Sequence, residues 1–475
     1  MRGGGRLALL ALVAGSAAVP RPAAAYDFTV GLRTIGQGYQ VRRFGADGNN
    51  ELLSRRRLTQ YMDLAVFDLA PARWRGDDGD RNLLYFDASL RFDSDFGGYM
   101  LGRPTGSDEI QELKQSQLDI LYMFVGGKNV GGRVDFELGR QIHFDLVDFF
   151  AFDGGDATVH VTRNFAVQAY AGTEVRGELP LSAPIYEIDG TSAGSRDPVT
   201  RPGQASSLRP LVGAAVLGGR DGGPLTGRLA YRRVWSATVD RLPGEPASGI
   251  NDEKLSATAS AVWRNRAYLA GGARLNLLLG EFDDQQLLVK LRSLARQWLT
   301  LEYSYLAPTF DGDSIWNVFA SGAYRDLRAV YEVGIGTEVK AYARGFARFF
   351  TASGHAGGAS MGATWRRGRG LVRGDGYFDD GYGGRKLGVD ASARLAVKRT
   401  FELEGRLTGY QWRADQPNDG AGTTNNGGVV FGAQAGGRWL LGQGVRLHLL
   451  AEDNIGTYYR SQFRGLAVVE VDASL

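Results

Sequence analysis

Short segments in which apolar and polar residues alternate recur along most of the chain, and this feature restricts the fold more than any other. In Leu84–Phe92, Leu255–Trp263 and Val389–Val397, every second residue is apolar and most residues between them are polar or charged. The same alternation predicts that Leu118, Ile120, Tyr122 and Phe124 share one face, opposite to Gln117 and Asp119. A period of two residues is that of a β-strand, whereas an amphipathic helix requires 3.6. The pattern therefore predicts an all-β protein.

The number of alternating segments favours a membrane barrel over a soluble β-protein. We count 22 strands as the best value in a range of about 18–22, and connections alternate between short ones such as Gly442–Gly444 and long ones such as Ser94–Leu113 and Arg176–Ser207. A soluble sandwich buries its apolar face against a second sheet and has fewer strands. The chain is therefore predicted to form a transmembrane antiparallel up-and-down β-barrel, with apolar residues toward lipid and polar residues toward the lumen.

The N-terminal residues predict export. Arg2 and Arg6 supply a positive start, Leu7–Val13 a short apolar run, and Ala23–Ala25 a small-residue cleavage site. The apolar run is too short for a membrane helix, which needs about 20 residues. We therefore predict a signal peptide at residues 1–25, a barrel at 26–475, and a location in the bacterial outer membrane in contact with its lipid.

The composition excludes some classes of function. The chain has no cysteine, so it has neither a disulfide framework nor a lipidated N-terminal cysteine. Its formal net charge is only +3, which gives no bulk electrostatic support for binding nucleic acid. Of the 55 basic residues, 48 are Arg and 7 are Lys. Arginine suits bidentate recognition of anions, although the codon usage of a GC-rich genome explains the bias equally well.

Residue parity along the strands predicts which charges face the lumen. The predicted pore-lining residues are Arg91, Arg133, Glu137, Arg228, Arg232, Arg292, Arg328, Arg344, Arg348, Arg394, Arg406 and Arg446. Charges in such a lumen either pair with one another or contact a passing solute. The collective excess of arginine is a stronger signal than any single residue.

The segment Ile142–Gly155 interrupts the alternation and is aromatic, acidic and glycine-terminated. Its predicted constriction residues are Phe144, Asp145, Asp148, Phe149, Phe152 and Asp153. The segment can fold inward and narrow the pore, or cap the barrel outside as a loop with its own small core. Aromatic rings beside carboxylates also suit the CH faces and hydroxyl groups of sugars.

Catalytic and metal-binding patterns are weak. Gly190–Gly194 has the spacing of a nucleophile elbow, but it lies in a long polar loop without the strand and helix that the motif requires. Asp311 and Asp313 lack the remaining ligands of a calcium loop. The histidines have no metal-ligand spacing; they are His143, His160, His355 and His448. We predict no enzyme, cofactor or metal, although a catalytic pair assembled across strands remains an alternative.

Several short motifs resemble those of outer-membrane barrels of the alginate-export type and of the exopolysaccharide-export barrels of myxobacteria. They are Gly139–Gln141, Phe152–Gly154, Tyr170 with Gly172, Asp313–Phe319 and Tyr324–Arg328. The resemblance implies passage of an anionic or neutral polysaccharide through an Arg-lined lumen. It also implies a separate periplasmic export partner.

Passive polysaccharide export is thus the leading hypothesis from the sequence. The first alternative is a general or small-solute porin that conducts a small anionic solute, and the second is a barrel enzyme or surface adhesion scaffold. A lumen narrowed by Ile142–Gly155 and dominated by arginine favours an anionic polymer. An open lumen of balanced charge favours a porin.

Overall fold

The computed structural model describes most of the strand-forming part of the chain. The described residues are 27–44, 50–69, 84–95, 117–175, 209–219, 223–235, 250–264, 266–307, 322–351, 354–382, 384–414, 427–457 and 459–474. The predicted signal peptide, the 190–194 motif and the two loop aspartates at 311 and 313 lie outside them. Within these ranges, no helix is long and apolar enough to cross a bilayer.

The described elements are all strands, as the two-residue alternation predicts. They are β1 (Asp27–Phe44), β2 (Asn50–Phe67), β3 (Leu84–Asp95), β4 (Gln117–Val130), β5 (Val134–Phe144), β6 (Phe149–Thr162), β7 (Phe165–Glu174), β8 (Pro210–Gly219), β9 (Leu225–Trp235), β10 (Ile250–Trp263), β11 (Ala267–Asn276), β12 (Glu281–Leu294), β13 (Gln297–Leu306), β14 (Tyr324–Ile335), β15 (Val339–Phe350), β16 (Gly354–Arg367), β17 (Gly370–Gly381), β18 (Arg385–Lys398), β19 (Phe401–Arg413), β20 (Gly427–Gly442), β21 (Val445–Gly456) and β22 (Tyr459–Ser474).

The strands form one closed antiparallel sheet. Each strand pairs with its neighbours in the chain, and β1 closes the barrel by pairing with β22, from Thr29 opposite Ser474 to Tyr39 opposite Arg464. The predicted fold class and the best count of 22 strands are confirmed. Because the strand number is even, both ends of the sheet, at Asp27 and Ser474, lie at the same rim. We call this rim the turn end and the opposite rim the loop end.

The two faces of the sheet differ in chemistry. One face exposes large apolar side chains, including Leu138, Leu229, Met361, Leu407 and Phe431. The other carries the polar and charged residues that alternate with them, and its residues make the ion pairs described below. The first is the outer face of the barrel, and the second lines the lumen, as expected for a membrane barrel.

A bulge in β4 reverses the predicted alternation there. The pairing with β3 shifts by one residue, so that Leu90 faces Ile120 but the preceding Ser89 faces Tyr122. Leu118 and Ile120 therefore lie on the outer face as expected, whereas Tyr122 and Phe124 lie on the inner face. A bulge inserts an extra residue without changing the apolar content of the sequence, so alternation alone does not reveal it.

Two sequence-based boundaries are wrong. Arg133, predicted to line the pore from a strand, lies in the turn before β5, and its backbone carbonyl accepts a hydrogen bond from the N–H of His160 at 2.8 Å. The segment Ile142–Gly155 is not one irregular stretch, because β5 continues to Phe144 and β6 begins at Phe149. Only residues 145–148 connect them, so the segment is a β-hairpin.

Candidate functional site: the lumen and its in-folded hairpin

A row of three glycines crosses β5, β6 and β7 on the inner face. Gly139 pairs with Gly154, and Gly154 pairs with Gly172. A Cβ atom on Gly154 would lie 2.1 Å from the carbonyl oxygen of Ala171, and Gly139 has a φ of +136°. Side chains are therefore excluded from this line, and glycine in a strand permits the sharp bend that other residues resist. The row is where the sheet turns into the lumen.

The amide of Gln141 stabilises the backbone at this bend. Its Nε2 donates to the carbonyl oxygens of Glu137 at 2.8 Å and Gly154 at 3.3 Å. The residue is 1% exposed. Buried backbone carbonyls need hydrogen-bond partners, and a side-chain amide supplies them where the strand geometry departs from a regular ladder.

Beyond the glycine row, the hairpin of residues 140–153 folds into the lumen, and we call it the in-folded hairpin. Its tip reaches strands far along the sheet: Arg228 Nη1 donates to Asp145 Oδ2 at 2.8 Å, and Arg232 Nη2 donates to Asp148 Oδ1 at 3.1 Å. Arg274 on β11 donates to the carbonyl oxygen of Val147. Contacts with the inner face of β9 and β11 exclude a hairpin that stands upright outside the barrel.

Aromatic packing holds the body of the hairpin against the wall. Phe150 and Phe152 contact Tyr170 at ring-centroid distances of 5.5 and 5.8 Å, and Leu211 and Val234 complete the buried cluster. Phe152 is fully buried. Burying a phenylalanine stabilises a fold by about 1.5–3 kcal/mol, so this cluster fixes the inward position of the hairpin.

A buried charge network lies beside that cluster. The guanidinium of Arg232 stacks 4.4 Å from the centre of the Phe150 ring and donates to Asp252 at 3.0 Å as well as to Asp148. Arg274 Nε donates to Asp283 at 2.7 Å. Removing one partner from a buried ion pair leaves an uncompensated charge, which costs far more than the pair itself contributes. The carboxylate of Asp148 at the hairpin tip therefore compensates the buried positive charge of this wall.

The opposite face of the hairpin is exposed. Phe144 is 82% exposed, and its ring lies 6.3 Å from that of Phe149. Beside them, Arg140 and Asp153 form a bidentate pair at 2.7 and 2.8 Å. Of the six predicted constriction residues, Asp145, Asp148 and Phe152 thus contact the wall, and the other three lie on this free face.

The inner face from β13 to β22, together with β1, carries a series of cross-strand ion pairs, and we call it the open arc. The pairs include Arg328–Glu302, Arg348–Asp326, Arg373–Asp375, Arg394–Glu402, Arg406–Asp390, Arg438–Glu404 and Arg446–Glu470. The covered wall, defined as the inner face of β7–β11, is the part that the hairpin contacts.

In most pairs of the open arc, the cation is more exposed than the anion. Arg373 is 53% exposed and Asp375 is 11%; Arg406 is 57% and Asp390 is 18%. Two pairs depart from this trend: Arg446 with Asp472, at 57% and 55%, and Arg328 with Glu302, at 38% each. A solute therefore meets more guanidinium than carboxylate, even where the two are present in equal number.

Arg344 differs from these residues because it is exposed on the inner face and pairs with no carboxylate among the described residues. Among the described residues it makes no hydrogen bond or ion pair, and the positions beside it across the sheet are Val330 and Ser360. An arginine without a carboxylate neighbour keeps all five N–H donors for solvent or solute.

The structure places eleven of the twelve predicted pore-lining residues on the inner face, the exception being Arg133. They do not form one group: Arg228 and Arg232 bind the hairpin, while Arg91 forms a buried pair with Asp119, its Nε donating at 3.0 Å. Inner-face residues that sequence reasoning missed include Arg274, Arg438 and Arg464. Strict parity within each strand identifies them, whereas nothing in the sequence distinguishes an exposed arginine from one under the hairpin.

In the part of the chain that the structure describes, no group of three or more His, Asp or Glu side chains is arranged to hold a metal ion. The four histidines do not come together either. His143 lies in the hairpin cluster, with its ring 5.0 Å from that of Tyr170, and His160 contacts Asp135 at 2.9 Å near the turn end. His448 accompanies Glu404 on the open arc.

No protein-family model matches the sequence, and no curated protein matches it. Similar solved structures include OpdK from Pseudomonas aeruginosa, with 10% identity over 94% of this chain and 99% of that one and a TM-score of 0.42. A BenF-like porin from Pseudomonas fluorescens Pf-5 has 8% identity over 95% and 99%, with a TM-score of 0.43. Pseudomonas aeruginosa OccK2 (OpdF) in complex with glucuronate has 10% identity over 95% and 98%, with a TM-score of 0.40.

These TM-scores are all below 0.5, so the likenesses carry no argument about a site or a solute. The barrel architecture rests on the strand pairings of this chain. The resemblance to alginate exporters concerns motifs whose glycines, Gly139, Gly154 and Gly172, form the bend of the hairpin. Beyond a barrel architecture it stays a prediction.

Proposed function

We propose that this protein is an outer-membrane channel through which small anionic solutes diffuse. The closed sheet has no free edge, and its outer face exposes a band of large apolar side chains. Both properties suit a protein surrounded by lipid. A barrel of about 18–22 strands is wide enough to enclose water or a plug, and charged residues throughout the open arc require a hydrated lumen.

The observation that carries the proposal is the unequal exposure of the two partners in the ion pairs of the open arc. A half-exposed guanidinium whose carboxylate partner is less exposed has N–H donors that still point to water. Arginine binds carboxylates and phosphates through such donors. The open arc therefore provides a row of weak, exchangeable anion sites, which permits entry and exit of a solute.

The geometry favours a small solute over a polymer. The in-folded hairpin occupies part of the lumen, which is compatible with a porin and with a polysaccharide exporter. Carboxylates pair with most arginines of the open arc, however, and this balance of positive and negative charge favours a porin. Polysaccharide export and its periplasmic partner therefore remain the less supported alternative.

The test is the ion selectivity of the purified protein in planar lipid bilayers. Under a KCl gradient, we expect a reversal potential that shows a preference for chloride. Substituting Arg344→Gln, Arg348→Gln and Arg394→Gln together is expected to lower the ratio of anion to cation permeability several-fold, because three exposed charges of the open arc are removed. Undiminished selectivity in this variant would contradict the proposal.

A control variant separates lumen charge from total charge. Arg385 lies on the outer face, where it pairs with Asp380 at 2.9 Å. Arg385→Gln should leave the reversal potential unchanged. Heat-dependent migration in SDS gels shows that each variant forms a folded barrel before its conductance is compared.

A further inference from the structure

A recess of about 460 Å³ lies in the inner wall where the barrel closes, between β1 and the strands β20–β22. Three primary amides, two opposite charges and an apolar surface line it: Gln37, Gln434, Gln462, Glu452, Arg464 and Leu466. Pockets that bind small molecules have volumes of about 300–1,000 Å³ and combine an apolar surface with a few polar groups. The recess has the size and composition of a binding subsite.

Arg464 is the distinctive residue of this recess. It lies opposite Glu452 in the strand register, a position from which it could form an ion pair with that carboxylate. Yet within the described part of the chain, Arg464 makes no hydrogen bond or ion pair. The carboxylate of Glu452 instead accepts hydrogen bonds from Asn454 Nδ2 at 2.5 Å and Gln434 Nε2 at 3.5 Å. The guanidinium is therefore left with its donors available at the recess.

This arrangement contrasts with that of neighbouring arginines. Arg446, on the same pair of strands, contacts both Glu470 and Asp472. Arg438, on β20, contacts Glu404 at 3.1 Å. The pairing that neutralises the arginines around it is thus absent at Arg464, and it is absent where the wall forms a recess rather than a plain surface.

We propose that this recess binds a polyhydroxylated monocarboxylate, a sugar acid being the simplest case. A guanidinium with free donors binds a carboxylate in a bidentate manner. Glutamine amides donate and accept, which suits hydroxyl groups that do the same, and Leu466 offers a surface to CH groups. Glu452 opposes a second carboxylate in the ligand, so a monoanion is preferred to a dianion.

The proposal rests on the proposed channel function and names a solute class for it. Its test is block of the chloride current through single channels in planar bilayers by three probes: gluconate, lactate and glucarate. Gluconate has one carboxylate and a chain of hydroxyls, lactate has one carboxylate and one hydroxyl, and glucarate has two carboxylates. We expect gluconate to block at a lower concentration than the other two. Equal block by gluconate and lactate would overturn the proposal.

Two variants assign the block to the recess. Arg464→Gln is expected to weaken block by gluconate about tenfold, the effect of losing a hydrogen-bonded charge. Gln462→Leu keeps the carboxylate site but removes an amide, so it should reduce the difference between gluconate and lactate. The outer-face variant Arg385→Gln should leave block unchanged. If gluconate blocks Arg464→Gln channels at the same concentration as wild-type channels, the assignment is overturned.

The outcomes separate this inference from the channel function. A chloride-selective channel without preferential gluconate block contradicts the recess alone. If the protein forms no anion-selective conductance, the channel function is contradicted. This holds even if calorimetry shows that the folded barrel binds gluconate.

Discussion

On the covered wall, Arg232 is 6% exposed and lies between Asp148 and Asp252, whereas on the open arc Arg406 is 57% exposed and pairs with Asp390. Both are inner-face arginines with carboxylate partners 2.7–3.1 Å away. The hairpin shields Arg232 from water, whereas Arg406 is hydrated. Burial thus decides whether an arginine in this lumen holds structure or meets a solute.

The largest effect is expected from removing the carboxylates of the hairpin tip. Asp145→Asn with Asp148→Asn leaves Arg228, Arg232 and Arg274 partly buried with fewer anionic partners. Breaking a buried pair costs about 3–5 kcal/mol, so the hairpin should detach and single-channel conductance should rise. The same current as in the wild type would show that the tip ion pairs do not hold the hairpin.

A somewhat smaller effect is expected from the glycine row. In Gly154→Val, the new side chain would meet the backbone of Ala171, and overpacking of this kind costs about 1–3 kcal/mol. Conductance and urea unfolding, followed by tryptophan fluorescence, should both change. Gly218→Ala is the matched control, because the nearest atom to its Cβ would be 4.0 Å away. Equal effects of the two would contradict a specific role for the row.

The open arc should respond differently to the same chemical change. Asp390→Asn removes the partner of Arg406, but that arginine is already hydrated, so the free energy of unfolding should change by about 1 kcal/mol or less. Anion selectivity should rise, because one guanidinium loses its neutralising charge. A loss of stability as large as that of the Asp148 substitution would remove the distinction between the two regions.

The smallest effect is expected at the free face of the hairpin. Phe144→Ala removes a ring that is 82% exposed, so stability should change by about 0.5 kcal/mol or less. Phe152→Ala, which empties a fully buried site, is the contrasting variant. Urea unfolding that shifts equally for the two would show that Phe144 packs as firmly as Phe152.

Strand number and face could be predicted from the sequence because both depend on a local period of two residues. Departures arose where one residue alters that period without altering composition. The bulge before Tyr122 is such a case. The location of Arg133 in a turn has the same origin, since a boundary error of one residue removes a side chain from the wall.

The candidate site was less accessible to sequence reasoning. The glycines that end Ile142–Gly155 predicted a loop, whereas Gly154 and Gly155 lie in a paired strand and the first of them belongs to the bend. Which partner of an ion pair is exposed to water depends on side-chain packing between strands distant in sequence. The free guanidinium of Arg464 depends likewise on where Glu452 directs its carboxylate, and no pattern along one strand encodes that.

The pairing of β1 with β22 also governs how the protein is made. Thr29 in β1 and Ser474 in β22 are far apart in sequence, so the seam between them cannot form until β22 has been synthesised. Until then, the first and last strands in place present unpaired N–H and C=O groups, which are templates for pairing with other chains. Contacts of such long sequence separation form slowly. The unclosed sheet therefore has to be shielded from its own copies during assembly, and a truncation within β22 would leave that hazard permanent.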